Sequence, residues 1–442
     1  MKPILGFLVA AALCAVPVQA TDIFPYPYHK LELDNGFKAY LIHAGAPGQI
    51  AYVTVVRTGS REEWEPGRTG YAHFFEHMMF RGTKKYPDYS SVLTRIGADN
   101  NAFTSDDMTV FYTVAASDSL EQLMDLESDR FMNLDYSEPD FRIEAGAILG
   151  EFNQGRANPY LTLFEKIRQT AFDQHTYRHL TIGLEADVRA MPQGYEYSRS
   201  FFRRYYRPEN CVLLLVGDFD DAGAEALVRK YYSSWKPGYV APKIQPEPEQ
   251  TAPREASVEF AGSTLPIVSI NYKGPAWSAT DRDAVASRLL GELAFGENSA
   301  IYRKLVLDEQ KVQRLSADFG LQRDPSLLSV TGMVPNPEDL GYVRDEVEKT
   351  AALYREQPCD TQRLEDTKKA LRYGFLRGLE TARGVAFSLI DVVVPTGGIE
   401  AVNDYYATLD SIEPKDIQVA ADRYLTPARR TIVTLTSKQE GR

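Results

Sequence analysis

The stretch Gly70-Tyr-Ala-His-Phe-Phe-Glu-His-Met-Met-Phe80 places two histidines and a glutamate, His73, Glu76 and His77, in an otherwise apolar run. The spacing predicts a helix over 70–80, closed by Arg81-Gly82, where glycine suits the residue after a helix end. A helix that is apolar all round belongs inside a protein. Three polar side chains there cost free energy unless something satisfies them. Histidines at i and i+4, with a carboxylate at i+3, project from one face. A divalent metal between the imidazoles, with a water that Glu76 can deprotonate, satisfies all three together. The chain has six histidines. A lone core histidine is usually just hydrogen-bonded, but this H-x-x-E-H pair in apolar surroundings points to metal chemistry.

Working outward, Lys30 to Ile42 reads as a hairpin turning at Asn35-Gly36. Gln49–Arg57 and Thr109–Val114 read as strands, Ser119–Met132 and Glu138–Gln154 as helices, and Asn210–Gly217 as a buried strand. The proline-rich stretch that follows, from Lys236 to Pro253, reads as a linker. A second α/β half begins near Ala256. Tyr206-Arg-Pro-Glu-Asn-Cys-Val-Leu-Leu-Leu-Val and Tyr424-Leu-Thr-Pro-Ala-Arg-Arg-Thr-Ile-Val-Thr-Leu close the two halves similarly, which marks a weak internal repeat. The second half has no H-x-x-E-H. Its corresponding helix, about Asp281 to Phe295, has no histidine. The expected organisation is α+β: a signal peptide at 1–20, a metal-bearing domain at 21–235, a linker at 236–255 and a second, non-metal domain at 256–442.

The 442 residues suffice for two domains. Composition is 44% hydrophobic and 25% charged, which is globular. Net charge is −12 without a basic tract, which argues against nucleic acid as a partner. Lys2, the apolar run from Ile4 to Val16 and Val18-Gln19-Ala20 read as a secretory signal cleaved near Ala20, not as a stable membrane anchor. The mature chain then keeps Cys211 and Cys359, which could form a disulfide but need not.

A catalytic zinc usually has three protein ligands and an open position. Glu144-Ala-Gly-Ala-Ile-Leu-Gly-Glu151 offers two candidates for the third ligand, on one helix face and two turns apart. Spacing does not choose between them, and both could be solvated surface carboxylates. His175 and His179 share the i, i+4 spacing but lack a carboxylate between them; they read as structural.

Together, His73–His77, Phe80-Arg-Gly-Thr83, Asn101-Ala-Phe-Thr104 and the Glu144/Glu151 pair resemble the pitrilysin and insulin-degrading enzyme family, with mitochondrial processing peptidase in the same group. Thr58-Gly-Ser-Arg-Glu, Tyr206-Arg-Pro-Glu-Asn and Val216-Gly-Asp add to the likeness, which spans the mature chain. The resemblance implies two similar sandwich domains closing as a clamshell, each a mixed, mainly antiparallel sheet with helices on one side. It implies one Zn2+ on His73, His77 and Glu151, with Glu144 orienting a ligating histidine. Asn101 and Ala102 would lie on an edge strand that pairs with substrate backbone. The implied activity is zinc metalloendopeptidase, with Glu76 assisting attack of a zinc-bound water on unfolded or short peptides in the periplasm.

The sequence departs from the family in Leu305-Val-Leu-Asp-Glu-Gln-Lys-Val-Gln313. Val306 and Gln313 stand where substrate-binding arginine and tyrosine are expected. This predicts a related partner subunit that supplies the pair. The alternative is a non-catalytic peptide-binding or scaffold subunit of the same fold.

Overall fold

Two mixed sheets organise the chain. The structure, a computed structural model, describes residues 22–438, so the signal-peptide reading of residues 1–20 lies outside the described residues. The first sheet contains β1 (Tyr28–Glu32), β2 (Lys38–Ile42), β3 (Gln49–Val56), β4 (Asp99–Thr104), β5 (Thr109–Ala116) and β6 (Cys211–Gly217), in the order β1-β2-β6-β3-β5-β4. The second contains β7 (Arg254–Phe260), β8 (Ile267–Lys273), β9 (Arg314–Asp318), β10 (Leu327–Met333) and β11 (Arg430–Ser437), in the order β7-β11-β8-β10-β9. Without β1 the two orders coincide. Each sheet has one parallel pair in the same place, β2 with β6 and β7 with β11, and every other pairing is antiparallel. The repeat suggested by the two closing segments is a repeat of topology.

The helices follow suit. The first half carries α1 (Tyr71–Met78), α2 (Tyr89–Arg95), α3 (Leu120–Asn133), α4 (Glu138–Gly155), α5 (Pro159–Ala171), α6 (Glu185–Ala190), α7 (Tyr195–Tyr205) and α8 (Asp221–Tyr232). The second carries α9 (Arg282–Phe295), α10 (Ala300–Tyr302), α11 (Leu340–Glu356), α12 (Thr361–Gly378), α13 (Ala382–Thr396), α14 (Ala401–Ser411) and α15 (Pro414–Tyr424). The fold is α+β, with two similar domains.

Each sheet is covered on one face by helices of its own half. In the first, Leu41, Tyr52, Leu213 and Leu215 pack against Phe74, Phe75 and Phe141. The opposite face, with Val53, Val55, Leu214 and Val216, receives Val385, Leu389 and Val393 of α13 from the second half. The exchange is reciprocal: Leu163 and Ile167 of α5 cover Ile267, Val433 and Leu435 of the second sheet. This explains why β6, Cys-Val-Leu-Leu-Leu-Val-Gly, is apolar throughout and buried at every residue, since a strand covered on both faces has no polar alternation.

Polar contacts join the halves as well. Arg323 N donates to Asp107 Oδ2 at 2.8 Å, Arg61 Nε donates to Asp324 Oδ2 at 2.6 Å, and His175 Nε2 lies 3.0 Å from the same oxygen. The linker has no helix or strand between Ser233 and Pro253, yet it is pinned. Glu247 accepts backbone N–H donors from Asp173, Gln174 and His175 at 2.8, 3.0 and 3.0 Å. The β1–β2 hairpin turns through Asp34-Asn35-Gly36, with a Leu33 N to Phe37 O bond at 2.9 Å and Gly36 at φ +85°. This is one residue longer than a two-residue Asn-Gly turn. Cys211 and Cys359 are both free thiols, and burial pushes the Cys211 thiol up. Among the described residues, no single helix is long and apolar enough to cross a membrane.

Candidate metal centre

α1 is fixed at its start by the chain around it. Gly70 caps it at φ +89°, where a Cβ would stand 2.8 Å from Ile182 O. The helix N-terminus leaves backbone donors without partners. Glu63, buried, takes two of them: Gly70 N on Oε2 and Ala72 N on Oε1, each at 2.7 Å. Burial pushes the Glu63 carboxyl well up, and these donors pull against it. Phe74, Phe75 and Met78 are fully buried, which turns His73, Glu76 and His77, all half-buried, to the other side. The helix ends at Met78, short of Phe80, and Gly82 at φ +88° belongs to a following turn closed by Thr83 N to Tyr86 O.

α4 lies against α1 and brings both of its glutamates to the histidines. Glu144 Oε1 is 2.9 Å from His77 Nδ1, and Arg81 holds the other oxygen through Nε at 2.8 Å and Nη2 at 2.5 Å. Glu151 Oε2 is 3.6 Å from His73 Nε2 and 3.6 Å from His77 Nε2. Ligand atoms of His73, His77 and Glu151 all lie within 4.8 Å of one another, and no other such trio of His, Cys, Asp or Glu occurs among the described residues. Tetrahedral donors at zinc distances of ~2.0–2.2 Å stand ~3.3–3.6 Å apart. The two measured separations fall at the upper edge of that range, so the residues fit the ion. Two imidazoles and one carboxylate are a donor set suited to zinc.

The electrostatics separate the two rings. Burial, with His77 alongside, pushes His73 down to about 4, so its ring is neutral and has a lone pair to give at pH 7. The bond to Glu144 pushes His77 up, and that bond holds Glu144 low, with Arg81 adding to it. An ionised Glu144 takes the Nδ1 proton of His77 as its partner, which leaves Nε2 directed at Glu151 as the lone-pair side. Burial pushes the Glu76 carboxyl up, while Thr104 Oγ1, donating to Glu76 Oε2 at 2.7 Å, pulls it down.

Thr104 ends β4, the free edge of the first sheet. Asn101 and Ala102 sit in that edge strand opposite Tyr112 and Phe111. Asn101 Oδ1 accepts the Ala102 N–H at 2.8 Å. All hydrogen bonds and ion pairs of His73, Glu76, His77, Glu144 and Glu151 among the described residues stay within the first half. His175 and His179 flank a short turn, Thr176–Arg178, and are buried away from this group. His175 Nδ1 accepts from Tyr177 N at 3.1 Å, and His179 Nδ1 is 3.0 Å from Leu180 O. Sequence reasoning assigned no role to Glu63, Arg81 or Thr104. Arg81 and Thr104 lie inside the motifs quoted above, but only the fold shows what they touch.

Comparison with known proteins bears on the family and the fold. The family profile described as Insulinase (Peptidase family M16) matches residues 42–183, and the profile described as Peptidase M16 inactive domain matches residues 195–371. The chain is 27% identical over 423 residues to the zinc protease PqqE of Helicobacter pylori, covering 92% of this chain and 93% of that protein. Its fold matches the crystal structure of a protease from Helicobacter pylori with a TM-score of 0.86 at 24% identity, over 93% of this chain and 99% of the other. It also matches the first half of the periplasmic protease PqqL from Escherichia coli with a TM-score of 0.74 at 18% identity, over 93% and 92%. The chain belongs to the M16, insulinase-like family of peptidases.

Proposed function

We propose that this chain is a zinc metalloendopeptidase acting on unfolded or short peptides, exported to the periplasm, with one zinc held by His73, His77 and Glu151. The observation that carries the reading is the pair of 3.6 Å separations between Glu151 Oε2 and the two imidazole Nε2 atoms, beside a Glu76 that is not a member of the trio. An ion bound there supplies Lewis acidity to a scissile carbonyl and makes a nearby water acidic enough to be deprotonated at neutral pH. Glu76 takes that proton and passes it to the leaving amine, a shuttle suited to a carboxyl that burial has pushed upward. Thr104 holds Glu76 in place through one oxygen. Glu144 holds His77 through Nδ1, with Arg81 keeping Glu144 ionised. An extended peptide added to the free edge of β4, at Asn101 and Ala102, runs toward Thr104 and hence toward Glu76. To pair with Ala102 N–H, the peptide displaces the Asn101 side chain.

Zinc analysis of the purified full chain, with and without chelation, tests this reading alongside hydrolysis of unstructured peptides. A Glu76→Gln variant should keep stoichiometric zinc and lose hydrolysis. Undiminished hydrolysis by that variant overturns the role of Glu76, and a chain without zinc in the presence of ample metal overturns the assignment.

We further propose that the chain is the zinc-bearing subunit of a two-subunit peptidase. Val306 and Gln313 occupy the places of the expected arginine and tyrosine, and among the described residues the hydrogen bonds and ion pairs of the site all stay within the first half. A related subunit supplies the missing pair, so peptide cleavage should rise on adding a partner recovered by pull-down. Full-rate cleavage by the isolated chain, unchanged by any partner, overturns the two-subunit arrangement. The same two residues fit the alternative, a non-catalytic peptide-binding subunit, against which the assembled His73, Glu76, His77 and Glu151 set weighs. That reading predicts peptide binding without hydrolysis under every combination.

A further inference from the structure

The second half repeats the scaffold of the metal centre without its ligands. α9 and α12 occupy the places of α1 and α4 in the topology, and α12 has 18 residues, as α4 has. Gly374 stands at the point along α12 where Glu151 stands along α4, and α9 has no histidine. Between α9, α12, α13 and α14 there is a cavity of about 330 Å³. Small-ligand pockets span roughly 300–1,000 Å³, so the space is of a size for one small molecule.

Its walls are unusual in combination. Trp277, Phe375, Tyr405 and Tyr406 line it with aromatic rings, those of Trp277 and Tyr405 lying nearly parallel 6.3 Å apart. Two charges also line it, Arg288 from α9 and Asp391 from α13. Among the described residues neither forms an ion pair or hydrogen bond, with each other or with anything else, although the neighbouring Tyr405 and then Asp391 push the Arg288 guanidinium up. The Tyr405 hydroxyl is buried without a hydrogen-bond partner, on a residue that is 8% exposed. A half-buried guanidinium and a buried, orphaned hydroxyl in one aromatic cavity are costly until something pairs with them, and the exposed Asp391 carboxylate at the rim adds a negative charge beside them.

We propose that this cavity binds a free α-amino acid with an aromatic or large apolar side chain. Its carboxylate meets Arg288 and the Tyr405 hydroxyl, its ammonium meets Asp391, and its side chain packs against the rings. A ligand with only one charge leaves the other protein charge unpaired. The site is separate from His73, His77 and Glu151, and the inference does not rest on the peptidase reading.

Calorimetric titration of L-phenylalanine into the full chain, stripped of metal by a chelator, tests the proposal. Saturable binding is expected. Phenylalaninamide, which lacks the carboxylate, and N-acetylphenylalanine, which lacks the ammonium, should each bind at least ~10-fold more weakly, the equivalent of about 1.4 kcal/mol. These comparisons use the unaltered protein and need no variant to fold. Arg288→Gln and Asp391→Asn should weaken binding of phenylalanine by a similar factor, while zinc content on reloading stays unchanged. The proposal is overturned by an absence of saturable binding at about 10 mM ligand, a concentration that detects even very weak sites. It is equally overturned if the three ligands bind alike, or if binding is lost in His73→Ala and kept in Arg288→Gln.

Discussion

Thr104 is the residue whose role is least visible from its identity. A threonine at the end of a strand is ordinary, and nothing in the sequence says that its hydroxyl donates to a carboxylate 28 positions earlier. Thr104→Val removes that bond and lets Glu76 rotate. A fall in kcat of about tenfold with little change in KM is expected, the worth of one hydrogen bond. Thr104→Ser, which keeps the hydroxyl, should restore most of the rate in a peptide-hydrolysis assay. Glu144→Ala should weaken zinc affinity by roughly 10–100-fold without emptying the site at saturating metal, as measured by competition with a chelator. The polar trio of α1 was legible because it interrupts an apolar helix. Spacing left open the choice between Glu144 and Glu151, since seven residues put both on one face, and only the family resemblance implied Glu151 as the ligand and Glu144 as its support. In the fold, Arg81, just beyond α1, and Nδ1 of His77 hold Glu144, while Glu151 Oε2 stands 3.6 Å from both Nε2 atoms. His179 offers a pH test. Burial holds its ring below the ordinary value near 6.5, so in the window between the two values the unfolded chain binds more protons than the folded one. Stability therefore rises with pH through that window and is lost on acidification. Urea midpoints should fall between about pH 7.5 and about pH 5 by more in the native chain than in His179→Gln.

At the level of the element, α1 shows how a short helix is held in register. Eight residues form a marginal helix by themselves, and its stability comes from what surrounds it. Its Ncap residue is a glycine and offers no side-chain oxygen, so the capping carboxylate comes from Glu63, seven residues before Gly70. The sequence patterns for capping look only at adjacent residues, which is why this one passed unnoticed. Glu63→Ala leaves two buried N–H groups unsatisfied, at on the order of 1–3 kcal/mol each. The denaturant midpoint should drop accordingly, and zinc affinity should drop with it, because both ring positions depend on where α1 begins. β3, β5, β6, α3, α4 and α9, by contrast, were readable to within a few residues from the sequence pattern, while the helices α11 to α15 of the second half were not read. α1 stops two residues early because the chain turns toward the Gly82 bend, a tertiary demand that its apolar run conceals.

Taken as a whole, the molecule interlocks. The duplicated scaffold could be inferred from the two closing segments, but the exchange of α5 and α13 could not. Each is a helix with apolar residues to bury, and no local pattern says whose sheet receives it. The exchange has a direct test. A fragment ending at residue 253 lacks α13, leaving Val53, Val55, Leu214 and Val216 bare on an open sheet face. Expressed alone, it should aggregate or bind hydrophobic dye strongly. Co-expressed with residues 254–442, it should co-purify as a stable pair. A soluble, cooperatively folding fragment 22–253 would show that α13 is dispensable to the first half.

The anchoring of the first described residues has a consequence in time. Phe24 N donates to Asn403 Oδ1, Tyr26 hydroxyl to Leu379 O, and Lys30 pairs with Glu400. A ribosome makes Phe24 early and Asn403 some 380 residues later. Throughout that interval the leading segment has no berth, and the first sheet has no lid. Folding to completion must wait for the trailing end, which puts this chain among those whose decisive contacts are distant in sequence and slow to form. Until then one apolar face of the first sheet stays open to whatever binds such surface, a chaperone included.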